Sequence, residues 1–212
     1  MSQVRSVSET VTVGPSWRRV PELADLTEIF EPGVQVCSWQ RDVDPGITAY
    51  LASLDQNQEL QAIEASSATK QPTLSRFPDG PGRNSLVEDL ALLCEIVREL
   101  LGCSEAGLRL ARVGRAMCPG WHIDRMGIRL VCTYQGPGTE WLDDQGGVNR
   151  SELQSDRVRA STLVQATPGE IVLLKGALWQ ENDAFGAVHR SPEPGVSKTL
   201  RTLVTVDPLW RE

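Results

Sequence analysis

The hydrophobic positions of the chain follow a helical period in one long segment before residue 105. Apolar side chains recur at intervals of three and four residues, which is the spacing of one helix face. They are Leu86, Leu90, Leu93, Val97 and Leu100. Ser85 and Glu88 match the capping box that begins many helices, and Gly102 is a typical stop. The pattern predicts a helix from about Ser85 to Leu101.

The rest of this region carries shorter signals. Val34 to Trp39 is apolar enough for a short strand, and the proline at the start of Pro45 to Leu54 indicates a second helix. The polar stretch Ser2 to Gly14 is expected to be a mobile tail. Thr73 to Arg83 is rich in proline and glycine, so we expect a loop. A plain connecting loop is the preferred interpretation, and a loop that lies over a site is the alternative.

After residue 105 the pattern changes to short β-branched and apolar runs separated by glycine, proline or polar turns. Six such runs are predicted strands: Leu108 to Val113, Ile128 to Tyr134, Ser161 to Gln165, Glu170 to Leu174, Ala187 to His189 and Thr199 to Val206. Strands without intervening helices favour a sandwich or barrel, jelly rolls included. The polar stretch Asp143 to Arg159 is interpreted as an exposed insertion between two strands.

Composition narrows the classes of function. The 212 residues carry a net charge of -7, with a pI near 5.0 and a mean hydropathy of -0.24, which argues against binding to nucleic acid or anionic membranes. No signal peptide or membrane-spanning run is visible, so we expect a cytoplasmic protein. The five cysteines include no CxxC pair, which favours reduced thiols over a disulfide framework.

The candidate chemistry lies with the histidines. The chain contains two, His122 and His189, and both belong to the β-rich half. His122 and Asp124 are two residues apart, so an extended chain turns both side chains to one face. With His189 they match the 2-His-1-carboxylate set that leaves open positions on Fe(II). An HxD pair alone is weak evidence, since a histidine on a strand is more often a surface or core-edge residue.

A basic residue follows on the next predicted strand. Arg201 lies 12 residues after His189. A guanidinium at this position could bind a dicarboxylate such as 2-oxoglutarate through two parallel hydrogen bonds. The order HxD, then the glycine-bounded strand Pro168 to Gly176, then His, then Arg resembles the double-stranded β-helix of Fe(II)/2-oxoglutarate-dependent dioxygenases. This resemblance covers roughly the C-terminal half of the chain.

The resemblance implies that His122, Asp124 and His189 bind iron, and that Arg201 binds the distal carboxylate of 2-oxoglutarate. A shift of one residue in the strand register would turn Arg201 outward. Arg129, Tyr134 and Lys198 therefore stay as alternative or additional contacts to the cosubstrate. The implied fold is α+β: N-terminal helices over 1–105 pack, within one domain, against a C-terminal cupin-like jelly roll over 106–212 that holds the metal site.

A second resemblance spans nearly the whole chain. It is to a bacterial family known as a domain of unknown function, and it rests on Val36 to Arg41, Cys118 to Asp124, Arg129 to Tyr134, Gly136 to Leu142 and Val188 to Pro192. Members of that family are often encoded near zinc-responsive metallochaperone-type GTPases. This resemblance implies a functional link to such a GTPase and to metal homeostasis.

The implied function is an oxygenase that uses Fe(II) and 2-oxoglutarate on a small-molecule or peptide substrate. Its substrate-facing walls would come from the Phe77 to Arg83 loop, the Asp143 to Arg159 insertion and three tryptophans, which are Trp121, Trp141 and Trp179. Hydrolase and nucleotide-binding functions have no motif behind them, since GxSxG, GxGxxG and GxxxxGK[ST] do not occur.

The alternative is a non-catalytic, cupin-like metal-binding protein in which the same three residues hold zinc or iron. Cys118, four residues before His122, could complete a zinc shell, although packing of its thiol under the adjacent turn is the preferred interpretation. An Arg201 side chain that points towards an open metal face would favour the oxygenase. A closed cavity, or Cys118 as a fourth ligand, would favour the metal-binding protein.

Overall fold

The computed structural model describes residues 16–143, 153, 162–180, 182, 185–192 and 200–210. The described strands are β1 Trp17–Val20, β2 Val36–Trp39, β3 Leu60–Ser67, β4 Glu105–Val113, β5 Ile128–Gln135, β6 Glu140–Asp143, β7 Thr162–Gln165, β8 Ile171–Lys175, β9 His189–Arg190 and β10 Arg201–Leu209. The helices are α1 Pro45–Ser53 and α2 Arg83–Leu101, with a 3-10 helix at Leu23–Phe30.

The strands form two sheets. Seven build a major sheet in the order β1-β2-β8-β5-β10-β4-β3, and three build a minor sheet in the order β7-β6-β9. In the major sheet β1 and β2 run parallel, and all the other neighbours run antiparallel. Together with helices on the outer face, this is the predicted α+β jelly roll.

The central strands of the major sheet are buried on both faces. On β5, Ile128, Leu130 and Cys132 face the core shared with the helices, while Val131 faces a second core. That second core also contains Trp141 and Ala166 of the minor-sheet region. Strands covered on both sides have almost continuous apolar sequences rather than alternating ones, which explains why β5 and β8 were recognisable from sequence.

Helix α2 lies against the outer face of the major sheet. Its buried positions include Leu86, Leu90 and Leu93 of the predicted apolar face. Gly102 ends the helix in the left-handed conformation, with φ of 65°, and its N–H donates to the carbonyl of Arg98. The start differs from the prediction, because the helix begins at Arg83 after Gly82 and no side chain caps it.

The region before residue 105 was predicted to consist mainly of helices, but it also supplies three strands. β1 and β2 form one edge of the major sheet and β3 forms the other. β1 and β2 have four residues each, too few to show a period. β3 is an edge strand with partly exposed positions on both faces, so its sequence lacks a clear apolar alternation.

Two predicted segments fall largely or wholly outside the described residues. The expected tail over 2–14 lies wholly outside them. Of the expected insertion over 143–159, the structure describes Asp143, which ends β6, and Leu153. In the part of the chain that the structure describes, no helix is long and apolar enough to cross a membrane.

Candidate metal centre

His122 and His189 lie side by side although they are far apart in sequence. An isolated antiparallel bridge joins them: the N–H of His122 donates to the carbonyl of His189 at 3.1 Å, and the reverse bond is 3.0 Å. Their ring centroids are 4.3 Å apart. Asp124 follows on the same side of the chain, and the candidate ligand atoms of all three residues lie within 4.8 Å of one another.

Backbone carbonyls orient both imidazole rings. Nδ1 of His122 donates to the carbonyl of Gly120 at 2.9 Å, and Nδ1 of His189 donates to the carbonyl of Ala187 at 2.8 Å. Because a carbonyl only accepts, each Nδ1 carries the proton and each Nε2 keeps its lone pair for a metal. Burial also lowers the pKa of His189 well below its usual range, which favours the neutral ring.

The two Nε2 atoms converge on one carboxylate. Asp124 Oδ1 lies 3.6 Å from Nε2 of His122, and Asp124 Oδ2 lies 3.5 Å from Nε2 of His189. Two imidazole nitrogens and one carboxylate oxygen fit a divalent first-row metal and leave further coordination positions open. Among the described residues this is the one group of three or more metal-ligating side chains, and Cys118 is not part of it.

Arg129 holds the candidate ligand Asp124. Its Nη1 donates to Asp124 Oδ2 at 2.8 Å, while Nε and Nη2 donate to the two carboxylate oxygens of Asp207 at 2.7 and 2.8 Å. Three of its five N–H groups are thus committed to protein acids. These contacts favour a positioning role for Arg129 over a contact to the cosubstrate, and they bring in Asp207, a candidate site residue that no sequence pattern singled out.

Arg201 is buried among neutral acceptors. Nε donates to the carbonyl of Pro137 at 2.8 Å, and Nη2 donates to the hydroxyls of Thr139 at 3.0 Å and Thr133 at 3.3 Å. Nη1 lies 3.5 Å from the hydroxyl of Ser191. Burial lowers the pKa of Arg201 to about 10, so the group is still charged at neutral pH. No described acid forms an ion pair with it.

Tyr134 is not brought to this site. Its hydroxyl donates to Asp89 of α2, whose carboxylate also forms an ion pair with Arg41. Tyr134 therefore belongs to the helix-facing side of β5, and its proposed contact with the cosubstrate is wrong. Lys198 lies outside the described residues.

The candidate ligands open onto a cavity of about 400 Å³. Its wall includes His122, His189, Arg129, Thr139 and Ser191. Two of the three residues whose hydroxyls contact Arg201, Thr139 and Ser191, thus line the same cavity as the histidines. Cys118 lines this cavity with an exposed side chain, and its carbonyl accepts from the N–H of Ser191 at 2.8 Å.

Most of the expected substrate walls lie elsewhere. Phe77 is buried in the core beside the helices, and the carbonyl of Pro78 accepts from Tyr50 of α1, so the loop over 77–83 packs on the opposite side of the sheet. Trp141 is fully buried between the sheets, and Trp179 stacks on Phe30. Of the three tryptophans, Trp121 comes nearest to the cavity. The Cζ atom of the cavity residue Arg190 lies 4.4 Å from the centroid of the Trp121 ring.

Comparison with known proteins gives a family and a fold. Residues 21–207 match the family model described as "Protein of unknown function (DUF1826)". The chain belongs to this family. No curated protein sequence matches the chain significantly.

Two solved structures share the fold at low sequence identity. One is a dioxygenase for auxin oxidation from rice, with a TM-score of 0.53, 15% identity, and coverage of 88% of this chain and 77% of that one. The other is a full-length Neurospora crassa protein in complex with alpha-KG and 5-formyluracil, with a TM-score of 0.50, 14% identity, and coverage of 98% and 88%. The chain therefore shares its fold with a dioxygenase and with a protein that binds alpha-KG, and the predicted resemblance in fold is confirmed.

Proposed function

We propose that this protein is an Fe(II)/2-oxoglutarate-dependent oxygenase with a small-molecule or peptide substrate. Iron would bind His122, Asp124 and His189, whose nitrogen and oxygen donors suit Fe(II). Bound iron and 2-oxoglutarate together supply the oxidising chemistry, which consumes O2. The chain itself orients the imidazoles through Gly120 and Ala187 and holds Asp124 through Arg129.

The environment of Arg201 carries this proposal. A buried guanidinium costs desolvation free energy, which an anion can offset through charge-assisted hydrogen bonds. Its hydrogen-bond partners among the described residues are a carbonyl and hydroxyls, all neutral. Thr139 and Ser191, which touch Arg201, also line the cavity of the candidate ligands. A dicarboxylate could therefore bind the metal at one end and Arg201 at the other.

The alternative of a non-catalytic zinc protein has less support. A closed tetrahedral zinc site needs a fourth protein ligand, and Cys118 is outside the cluster of candidate ligands. The open cavity beside the histidines favours an exchangeable cosubstrate instead. The functional link to a metallochaperone-type GTPase stays a prediction.

The test is calorimetric titration of the Mn(II)-loaded protein with 2-oxoglutarate, in comparison with pyruvate and glutarate. Pyruvate keeps the chelating 2-oxo acid and lacks the distal carboxylate, whereas glutarate keeps both carboxylates and lacks the 2-oxo group. We expect 2-oxoglutarate to bind at least tenfold more tightly than either, roughly the contribution of one charge-assisted hydrogen bond. Arg201→Gln should remove its advantage over pyruvate, and Arg190→Gln should keep it. Equal binding of all three acids would refute the proposal.

A further inference from the structure

One wall of the cavity is a row of four side chains across the major sheet. The strand register pairs Ile63 with Arg109, Arg109 with Thr205, and Thr205 with Val131. Directly opposite residues on antiparallel strands point to the same face, and all four line the cavity. Val131 is two residues from Arg129, which binds the candidate ligand Asp124. The row therefore extends from the metal centre to the edge strand β3.

Arg109 is the one cavity-lining arginine with no acidic partner among the described residues. Arg129 is paired with Asp124 and Asp207, and Arg190 is paired with Glu140 at 2.7 Å. Arg201, beside the cavity, is the group proposed to bind the cosubstrate. Arg109 is exposed at the cavity wall. Since none of the described acids pairs with it, its positive charge makes this end of the cavity attractive to an anion.

Gln61 fixes the orientation of this guanidinium. With its amide oxygen turned towards β4, Gln61 accepts from Nε and Nη2 of Arg109 at 2.6 and 2.8 Å. A guanidinium has five N–H donors, so three remain free, including the pair on the Nη1/Nη2 edge. That edge has the fork geometry that binds a carboxylate through two parallel hydrogen bonds.

Two exposed apolar side chains line the cavity together with Arg109. Ile63 is 72% exposed and Leu209 is 39% exposed, and both line the cavity beside it. Arg109 is separated from Val131 by two strand spacings, which is about 10 Å. A ligand with an anionic end on Arg109 and an apolar body over Leu209 would reach towards the metal centre, because Leu209 is two residues from Asp207, the partner of Arg129. Ile63 lies on the other side of Arg109, at the edge strand β3.

We propose that the substrate is an organic acid whose carboxylate binds Arg109 and whose apolar body covers Leu209 on the way to the metal centre. This inference rests on the proposed oxygenase function, because it assigns the oxidised position to the end of the substrate remote from the carboxylate. Arg109 would act as a specificity-determining residue. Gln61 would act as a positioning residue, since it touches the guanidinium and not the substrate.

The test uses two acids, octanoate and 3-phenylpropionate, and the matching neutral amides. Each is titrated by calorimetry into protein loaded with Mn(II) and saturated with N-oxalylglycine, a 2-oxoglutarate analogue that occupies Arg201. We expect at least one acid to bind about tenfold or more tightly than its amide. Arg109→Gln should remove this preference, and Arg115→Gln, an exposed arginine outside the cavity wall, should keep it.

The outcomes separate the two proposals. The inference is overturned if neither acid binds more tightly than its amide, or if the preference survives in Arg109→Gln. Binding of N-oxalylglycine is measured first and reports on the oxygenase proposal alone. Arg109-dependent binding of an acid without any binding of N-oxalylglycine would support the anion site and refute the oxygenase.

Discussion

Replacement of Arg129 by lysine tests whether this residue positions a metal ligand. The arginine makes three hydrogen bonds of 2.7 to 2.8 Å and joins Asp124 to Asp207. A lysine keeps the positive charge but offers one compact ammonium group in place of a planar fork. The electrostatic effect on a bound cation is therefore matched, and the change in metal affinity reports the loss of orientation.

We expect Arg129→Lys to weaken Mn(II) binding about 10- to 100-fold, the usual effect when a partner of a metal ligand is lost. This corresponds to roughly 1.4 to 2.8 kcal/mol. Electron paramagnetic resonance of free Mn(II) measures the affinity. The matched control is Arg190→Lys, because Arg190 also lines the cavity and pairs with an acid, Glu140, that is not a candidate ligand. Wild-type affinity in Arg129→Lys, or an equal loss in both variants, would refute the reasoning.

Three further predictions concern the ligand, its supporting loop and a buried lysine. Asp124→Ala should abolish Mn(II) binding while the circular dichroism spectrum stays native, because Asp124 belongs to none of the hydrophobic cores; an unfolded variant would indicate a structural site. Gly176→Ala should cost about 1–3 kcal/mol in urea unfolding, because a Cβ would overlap the carbonyl oxygens of Met126 and Asp124, and wild-type stability would contradict this. Burial lowers the pKa of Lys175 from 10.5 to about 8, so the unfolded chain binds more protons between these values, and folding stability gains on the order of 3 kcal/mol as pH rises through that window. Lys175→Met should lack this gain in urea unfolding. If the stability difference between variant and wild type is the same below pH 8 and above pH 10.5, the lowered pKa of Lys175 is refuted.

Local patterns in the sequence predicted part of the site. The spacing of His122 and Asp124 follows from the two-residue period of extended chain, and the structure turns both side chains to one point. The position of His189 beside them depends on a bridge between distant segments. The sequence suggested that pairing because the chain has two histidines, and the resemblance to dioxygenases implied it as well, but no local pattern encodes it.

Other parts of the site depend on tertiary contacts that leave no local signal. Asp207 reaches the candidate site because β10 lies beside β5, which brings its carboxylate to Arg129. The hydroxyls of Thr133 and Thr139 matter because they surround Arg201. Residues of ordinary type acquire such roles only when the strand order is known.

The error on Tyr134 has a physical reason that the sequence already contained. Arg129 and Tyr134 are an odd number of residues apart on one strand, so their side chains leave opposite faces. Arg129 faces the cavity, and Tyr134 faces α2. The two could not have contacted the same cosubstrate from a regular strand.

The central claim is tested most directly by anaerobic addition of Fe(II) and then 2-oxoglutarate to the purified protein. A 2-oxo acid bound to Fe(II) through two oxygens gives a weak visible charge-transfer band. We predict that the band forms in the wild type, is absent in His189→Ala, and needs a higher 2-oxoglutarate concentration in Arg201→Gln. The absence of a band in wild-type protein that binds zinc tightly at the same residues would contradict the claim and favour a metal-handling protein.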